Sequence, residues 1–109
     1  MRLAYAIKFV ADMDRAVGFH RDTLGLPLAF ASPEWSEFAT GETRLALHIA
    51  DAYHPAGTVR LGYAAEDLGA LYDSRDQLGL TFTEAPKSQH GMRIAAFLDS
   101  EGAECSMSG

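Results

Sequence analysis

The sequence has little of what marks secreted, membrane-spanning or nucleic-acid-binding proteins. Cys105 is its one cysteine, so no disulfide can form within the chain, which favours a reducing compartment. No apolar run approaches the roughly 18 residues that span a bilayer, and the N-terminus lacks a signal-peptide core. Basic side chains number 9 against 15 acidic ones, for a net charge of −6, which argues against nucleic acid as a partner. We therefore expect a cytoplasmic protein that binds neither membrane nor nucleic acid.

An internal repeat organises the 109 residues. Residues 10–26 and 64–80 align at an offset of 54 residues with seven identical pairs, where chance would give about one. The pairs include Leu24/Leu78 and Gly25/Gly79. Because the offset is half the chain, we predict a single domain of two modules, about 1–50 and about 58–109, with residues 50–57 between them.

Both modules have the pattern β-α-β-β-β. The strand over residues 3–10 runs into a helix capped by Asp12, and the second helix is capped by Glu66 or Asp67. Gly25 and Gly79 then end the helices in left-handed conformation. Extended segments follow at about 27–31, 34–40 and 43–49, and at about 80–84, 91–98 and 103–108, with a turn at 99–102. The fold class is therefore α+β.

Two motifs carry a resemblance to a known family. Residues 10–25, VADMDRAVGFHRDTLG, are similar to V-x-D-x-x-x-x-x-x-F-Y-x-x-x-L-G, and residues 97–102, FLDSEG, are similar to F-x-D-P-x-G. Both patterns are typical of the glyoxalase/bleomycin-resistance/dioxygenase (vicinal oxygen chelate) superfamily. The resemblance implies two βαβββ modules forming a curved mixed sheet around a cavity, with the helices outside. Enzymes of this family hold a divalent metal in the cavity, whereas its bleomycin-resistance proteins bind a cationic drug without metal.

The metal ligands of the family do not carry over to this sequence. The four matched positions fall on Tyr5, Ala46, Arg60 (or Val59 if the register shifts by one) and Ser106. Zinc or iron needs imidazole, carboxylate or thiolate donors, usually three or more from the protein. His48 and Glu104, each two residues from a matched position, could supply only two. We therefore expect no metal cofactor; Zn, Ni, Fe or Mn is the alternative.

Strand alternation gives the candidate pocket. If Tyr5 faces a cavity, Ile7 and Phe9 do too, whereas Lys8 faces the helices. There Lys8 pairs with a carboxylate, snorkels to solvent or sits at a subunit contact, unless the register is shifted. The predicted ligand-binding residues are Tyr5, Ile7, Phe9, Trp35, His48, Arg60, Arg93, Glu104 and Ser106; catalytic residues are not identifiable. Three other histidines are interpreted as helix packing (His20), a solvated linker residue (His54) and an exposed loop residue over 87–91 (His90).

These observations leave three functions open. The first is a metal-free protein that binds a small organic molecule, as an antibiotic-resistance protein does. The second is a metal-dependent lyase, isomerase or dioxygenase of the glyoxalase type. The third is a structural dimer module without ligand. We expect a homodimer in each case, and whether the modules pair within one chain or between two stays open.

Overall fold

The structure, a computed structural model, describes residues 1–89 and 91–109. The interpretation of His90 therefore lies outside the described residues. The chain divides into two compact units, residues 4–60 and residues 1–3 with 61–109. In the described part, none of the helices has the length and apolar character needed to cross a membrane.

The first unit has the predicted β-α-β-β-β order. Its elements are β1 (Arg2–Val10), α1 (Met13–Gly18), a π-helical turn (Phe19–Thr23), β2 (Leu28–Phe30), β3 (Trp35–Phe38) and β4 (Arg44–Ile49). The strands lie in the order β2-β3-β4-β1, with β1 parallel to β4 and the other pairs antiparallel. The sheet is therefore mixed.

The helix of the first unit covers one face of this sheet. The carboxylate of Asp12 caps α1 by accepting a hydrogen bond from the backbone N–H of Arg15 (3.1 Å). Met13 and Val17 pack on Phe38 and Leu47, which are both fully buried. Burying each of these large side chains contributes about 1.5–3 kcal/mol, so this layer anchors the module.

The end of the first helix differs from the predicted regular helix. The backbone N–H of Leu24 donates to the carbonyl of Phe19 (3.1 Å), a bond across five residues that defines a π-turn. From its cap to the left-handed glycine, this helix runs from Asp12 to Gly25, one residue more than from Asp67 to Gly79 in the second unit. The wide turn accommodates the extra residue without shifting the glycine.

The second unit repeats the order with a broken helix. Its elements are β5 (Val59–Ala64), α2 (Leu68–Asp73), α3 (Arg75–Leu78), β6 (Phe82–Gln89), β7 (Met92–Leu98) and β8 (Glu104–Ser108). The strands lie in the order β5-β8-β7-β6, with β5 parallel to β8 and the other pairs antiparallel. The predicted β-α-β-β-β order of each half and the α+β class are thereby confirmed.

A second core lies under α2. Leu68 packs with Ala95, Phe97, Cys105 and Met107. Asp67 caps the helix by accepting from the N–H of Ala70 (3.0 Å), which decides between the two predicted caps. The thiol of Cys105 is buried in this core.

Two segments differ from the sequence prediction. The strand predicted over 80–84 continues as β6 to Gln89, so Lys87–Gln89 is strand rather than loop. β6 is an edge strand whose register shifts on both sides of Glu84, and such irregular edges tolerate Pro86, which has no N–H to donate. The predicted linker 50–57 belongs to the first unit, because Ala50 and Gly57 donate backbone hydrogen bonds to Val10 (2.8 Å) and Phe9 (2.9 Å).

Candidate functional site

The candidate site is the face of the first sheet that points away from α1. Val10, Leu45 and Leu47 face the helix, so their neighbours in β1 and β4 face the opposite side. We call this opposite side the ring face, formed by Tyr5, Ile7, Phe9, Trp35, Glu37, Arg44, Ala46 and His48. It brings together five of the predicted binding residues: Tyr5, Ile7, Phe9, Trp35 and His48.

The ring face has a closed floor and a more open rim. Ile7 lies opposite Ala46, and both are buried, Ala46 completely at 0% exposure. Phe9, beside His48 in the same register, completes the floor. Tyr5, Trp35 and His48 are half-buried and form the rim. The floor is fixed by packing, while the rim leaves ring surface within reach of a ligand.

The rings of the rim meet edge to face. The Trp35 centroid lies 5.8 Å from that of Tyr5 at 75° and 6.0 Å from that of His48 at 88°. The Phe9 and His48 rings are 5.3 Å apart. Edge-to-face pairs each contribute about 0.5–1.5 kcal/mol beyond their buried area, so the rim is a preorganised aromatic surface.

Polar groups fix the orientation of two of these rings. The indole N–H of Trp35 donates to Glu37 Oε2 (3.0 Å), and Arg44 lies 3.4 Å from Glu37 Oε1. His48 Nδ1 lies 2.7 Å from the carbonyl of Ile49. Because a carbonyl can only accept, Nδ1 carries the hydrogen, and Nε2 of the neutral ring keeps its lone pair.

His54 joins the ring face, which corrects its interpretation as a solvated linker residue. Its ring stacks on Phe9 at 4.5 Å and 10°. Asp51 holds it in place by accepting hydrogen bonds from the backbone N–H of His54 (2.8 Å) and contacting its ring Nδ1 (3.1 Å). Partial desolvation opposes ionisation of Asp51, but hydrogen bonds from Tyr53 and His54 outweigh it, so the pKa of Asp51 is lowered.

Sequence reasoning missed Glu37, Arg44 and His54 as members of this face. Glu37 and Arg44 could have been found from strand alternation, since Glu37 is two residues from Trp35 and Arg44 two from Ala46. His54 had no such signal, because it lies outside any strand and reaches Phe9 through the turn at Asp51.

The other predicted residues lie elsewhere in the fold. Arg60 is half-buried on β5. Glu104 opens β8, where its Oε2 accepts from the Thr83 hydroxyl (2.7 Å). Ser106 lies opposite Ala96, on the face of its sheet that points away from α2.

Arg93 is on the opposite face of that sheet. It alternates with Ala95 and Phe97 toward the helix layer, and its guanidinium lies against Gly69 in α2. The structure therefore does not place Arg93 on one sheet face with Ser106.

The donors present do not fit the divalent metal that the family implies. On β4 the matched position Ala46 has no side-chain donor atom and is fully buried, and His48, two residues on, offers one imidazole nitrogen. In the second, Ser106 provides a neutral hydroxyl, which is a poor ligand for zinc or iron. Across residues 1–89 and 91–109, no group of three or more histidine, cysteine or acidic residues is placed to bind a metal.

Fold and site together define a two-module βαβββ protein with an aromatic sheet face. The chain belongs to the Glyoxalase/Bleomycin resistance protein/Dioxygenase superfamily, whose sequence profile matches residues 2–106. No curated protein matches the chain in sequence.

Solved structures share the fold at low identity. Methylmalonyl-CoA epimerase from Mycobacterium tuberculosis is 18% identical with a TM-score of 0.80, covering 98% of this chain and 86% of that one. A superfamily member from Vibrio splendidus is 14% identical with a TM-score of 0.75, covering 98% and 97%. At such identities the likeness concerns the fold and leaves activity open.

Proposed function

We propose that this chain binds a small planar organic molecule on its ring face without a catalytic metal. The observation that carries the proposal is the rim of Tyr5, Trp35 and His48 over a fully packed floor. Ligand sites combine apolar and aromatic walls with a few fixed polar groups, and here Glu37 and Arg44 supply those groups. Family membership supports the same function, because ligand capture needs the fold and not the donor set.

Calorimetric titration of the chelator-treated protein against small aromatic compounds of neutral, cationic and anionic charge tests the proposal. We expect at least one saturable ligand whose affinity falls about tenfold or more in Trp35→Ala, since one buried aromatic contact contributes about 1.5 kcal/mol. Tyr53→Ala is the matched control, because Tyr53 is 89% exposed in the same unit. An equal loss of affinity in Trp35→Ala and Tyr53→Ala, or the absence of saturable binding by any compound tested, would contradict the proposal.

A metal-dependent enzyme is the second candidate, and His48 favours it. The hydrogen bond from Nδ1–H to the Ile49 carbonyl fixes the His48 ring and leaves Nε2 as the nitrogen that a metal would bind. If this candidate were right, purified protein would hold stoichiometric Zn, Ni, Fe or Mn, and His48→Gln would lose it while His20→Gln would not. Our proposal expects no such stoichiometric metal.

We also propose that the chain forms a homodimer. Leu24 and Phe30 in the first unit and Leu78 in the second each expose more than half of their surface. Burial of such side chains against a second copy would remove apolar surface from water, which supports the proposal. A monomeric mass at micromolar concentration would contradict the dimer.

A further inference from the structure

A recess lies on the helix side of the first unit and reaches Phe9 of the ring face at one edge. It is a groove of 320 Å³ between β1, α1, the π-turn and the segment at Ala56–Gly57. We call it the outer groove; its lining includes Lys8, Val10, Asp12, Arg15, Phe19 and His20. Pockets for small ligands begin at about 300 Å³, so the outer groove suits only a small molecule.

Two cations line the outer groove without a carboxylate partner. Within residues 1–89 and 91–109, no carboxylate oxygen lies within 4.0 Å of the Lys8 ammonium or the Arg15 guanidinium. Three other basic side chains are paired with carboxylates: Arg21 with Asp22 at 2.8 Å, Arg44 with Glu37 at 3.4 Å and Lys87 with Glu84 at 3.8 Å. A carboxylate partner for Lys8 is therefore not found among residues 1–89 and 91–109.

The fold itself does not demand these cations. In the second module the structural counterpart of Lys8 is Tyr63, which lies beside helix-facing Met107 as Lys8 lies beside helix-facing Leu47. The counterpart of Arg15 is Ala70, whose backbone N–H donates to Asp67 as that of Arg15 donates to Asp12. The second module thus builds the same strand and helix with no charge at either position. Lys8 and Arg15 are additions of the first module.

The π-turn supplies the apolar wall. It begins at Phe19, whose side chain is 50% exposed and lines the outer groove. His20 is held beside it, because its Nδ1 donates to the carbonyl of Ala16 (2.7 Å). π-Turns are rare and frequently found at functional sites, and this one is absent from the described second module.

We propose that the outer groove binds a small aromatic monocarboxylate, with its ring on Phe19 and its carboxylate between Lys8 and Arg15. The charge decides between a monoanion and a phosphate monoester. Two cations against the carboxylate of Asp12, which also caps α1, leave one net positive charge. A singly charged ligand matches it, whereas a dianion would be repelled by Asp12.

Phenylacetate, with phenylacetamide as its neutral analogue, probes the outer groove in a ¹H–¹⁵N NMR titration of the full chain. We expect saturable shifts at the amides of Lys8, Ala16, Phe19 and Gly57, and binding of the amide about tenfold weaker or more. Lys8→Met and Arg15→Gln should each weaken phenylacetate about tenfold. The matched controls Lys87→Met and Arg21→Gln should change its affinity less than about twofold.

Each contrary outcome is distinguishable from failure of the ring-face function. Equal binding of acid and amide, no saturable shift, or equal effects of the control variants would overturn the inference. Shifts centred on Trp35 and Glu37 would overturn it as well, because the acid would then occupy the ring face. Trp35→Ala should leave phenylacetate binding at the outer groove unchanged.

Discussion

The bond between Trp35 and Glu37 gives a prediction whose size follows from the structure. Trp35 Nε1 donates to Glu37 Oε2 at 3.0 Å, with the Glu37 side chain 17% exposed. Hydrogen bonds to charged groups contribute about 1.5–3 kcal/mol, and partial exposure lowers this to about 1–2 kcal/mol. The pair Arg44–Glu37 is longer at 3.4 Å, and Arg44 is 45% exposed, so it contributes about 0.2–1 kcal/mol.

Two double-mutant cycles measured by urea unfolding check these values. Trp35→Phe with Glu37→Gln should give a coupling of about 1–2 kcal/mol, and Arg44→Gln with Glu37→Gln about 0.2–1 kcal/mol. Glu34→Gln is the control, because Glu34 is exposed and next to Trp35 in sequence. If the first coupling were below about 0.3 kcal/mol, or smaller than the second, the bond would not order the ring face.

Three further predictions concern stability. Phe38→Ala should cost about 3–5 kcal/mol in denaturant unfolding because Phe38 is fully buried, whereas Tyr53→Ala, at an 89% exposed position, should cost under about 0.5. Asp12→Ala should cost about 0.5–2 kcal/mol through loss of the α1 cap, and Asp12→Asn much less. The lowered pKa of Asp51 adds stability that is complete above its unfolded pKa and is lost as pH falls through the folded value, so Asp51→Asn should flatten the acid limb of a pH–stability curve. An unchanged limb would contradict the hydrogen bonds at His54.

The repeat could be predicted because residues close together in the sequence specify its elements. Capping carboxylates, left-handed glycines and alternating strands are all short-range features, so both modules and their element order followed from residues a few positions apart. Alternation also placed Lys8 toward the helix.

Features that depend on distant partners were not predictable. The π-turn exists because the first helix is one residue longer than the second. Helix propensities of single residues do not predict such a difference in length. β6 extends past Pro86 because its partner β7 continues beside it, and a propensity argument ends the strand too early. Arg93 was predicted to bind a ligand, but it lies on the face of β7 that packs on α2. The sequence does not indicate which face of β7 meets the helix.

The affinity of one ligand measured with and without metal tests the central claim most directly. The best ligand of the ring-face panel would be titrated into chelator-treated protein and into protein supplied with Zn, Ni, Fe or Mn. Capture by the rings of Tyr5, Trp35 and His48 predicts dissociation constants that agree within about twofold, a difference under about 0.4 kcal/mol. Binding that appears only in the metal-supplied protein would contradict it.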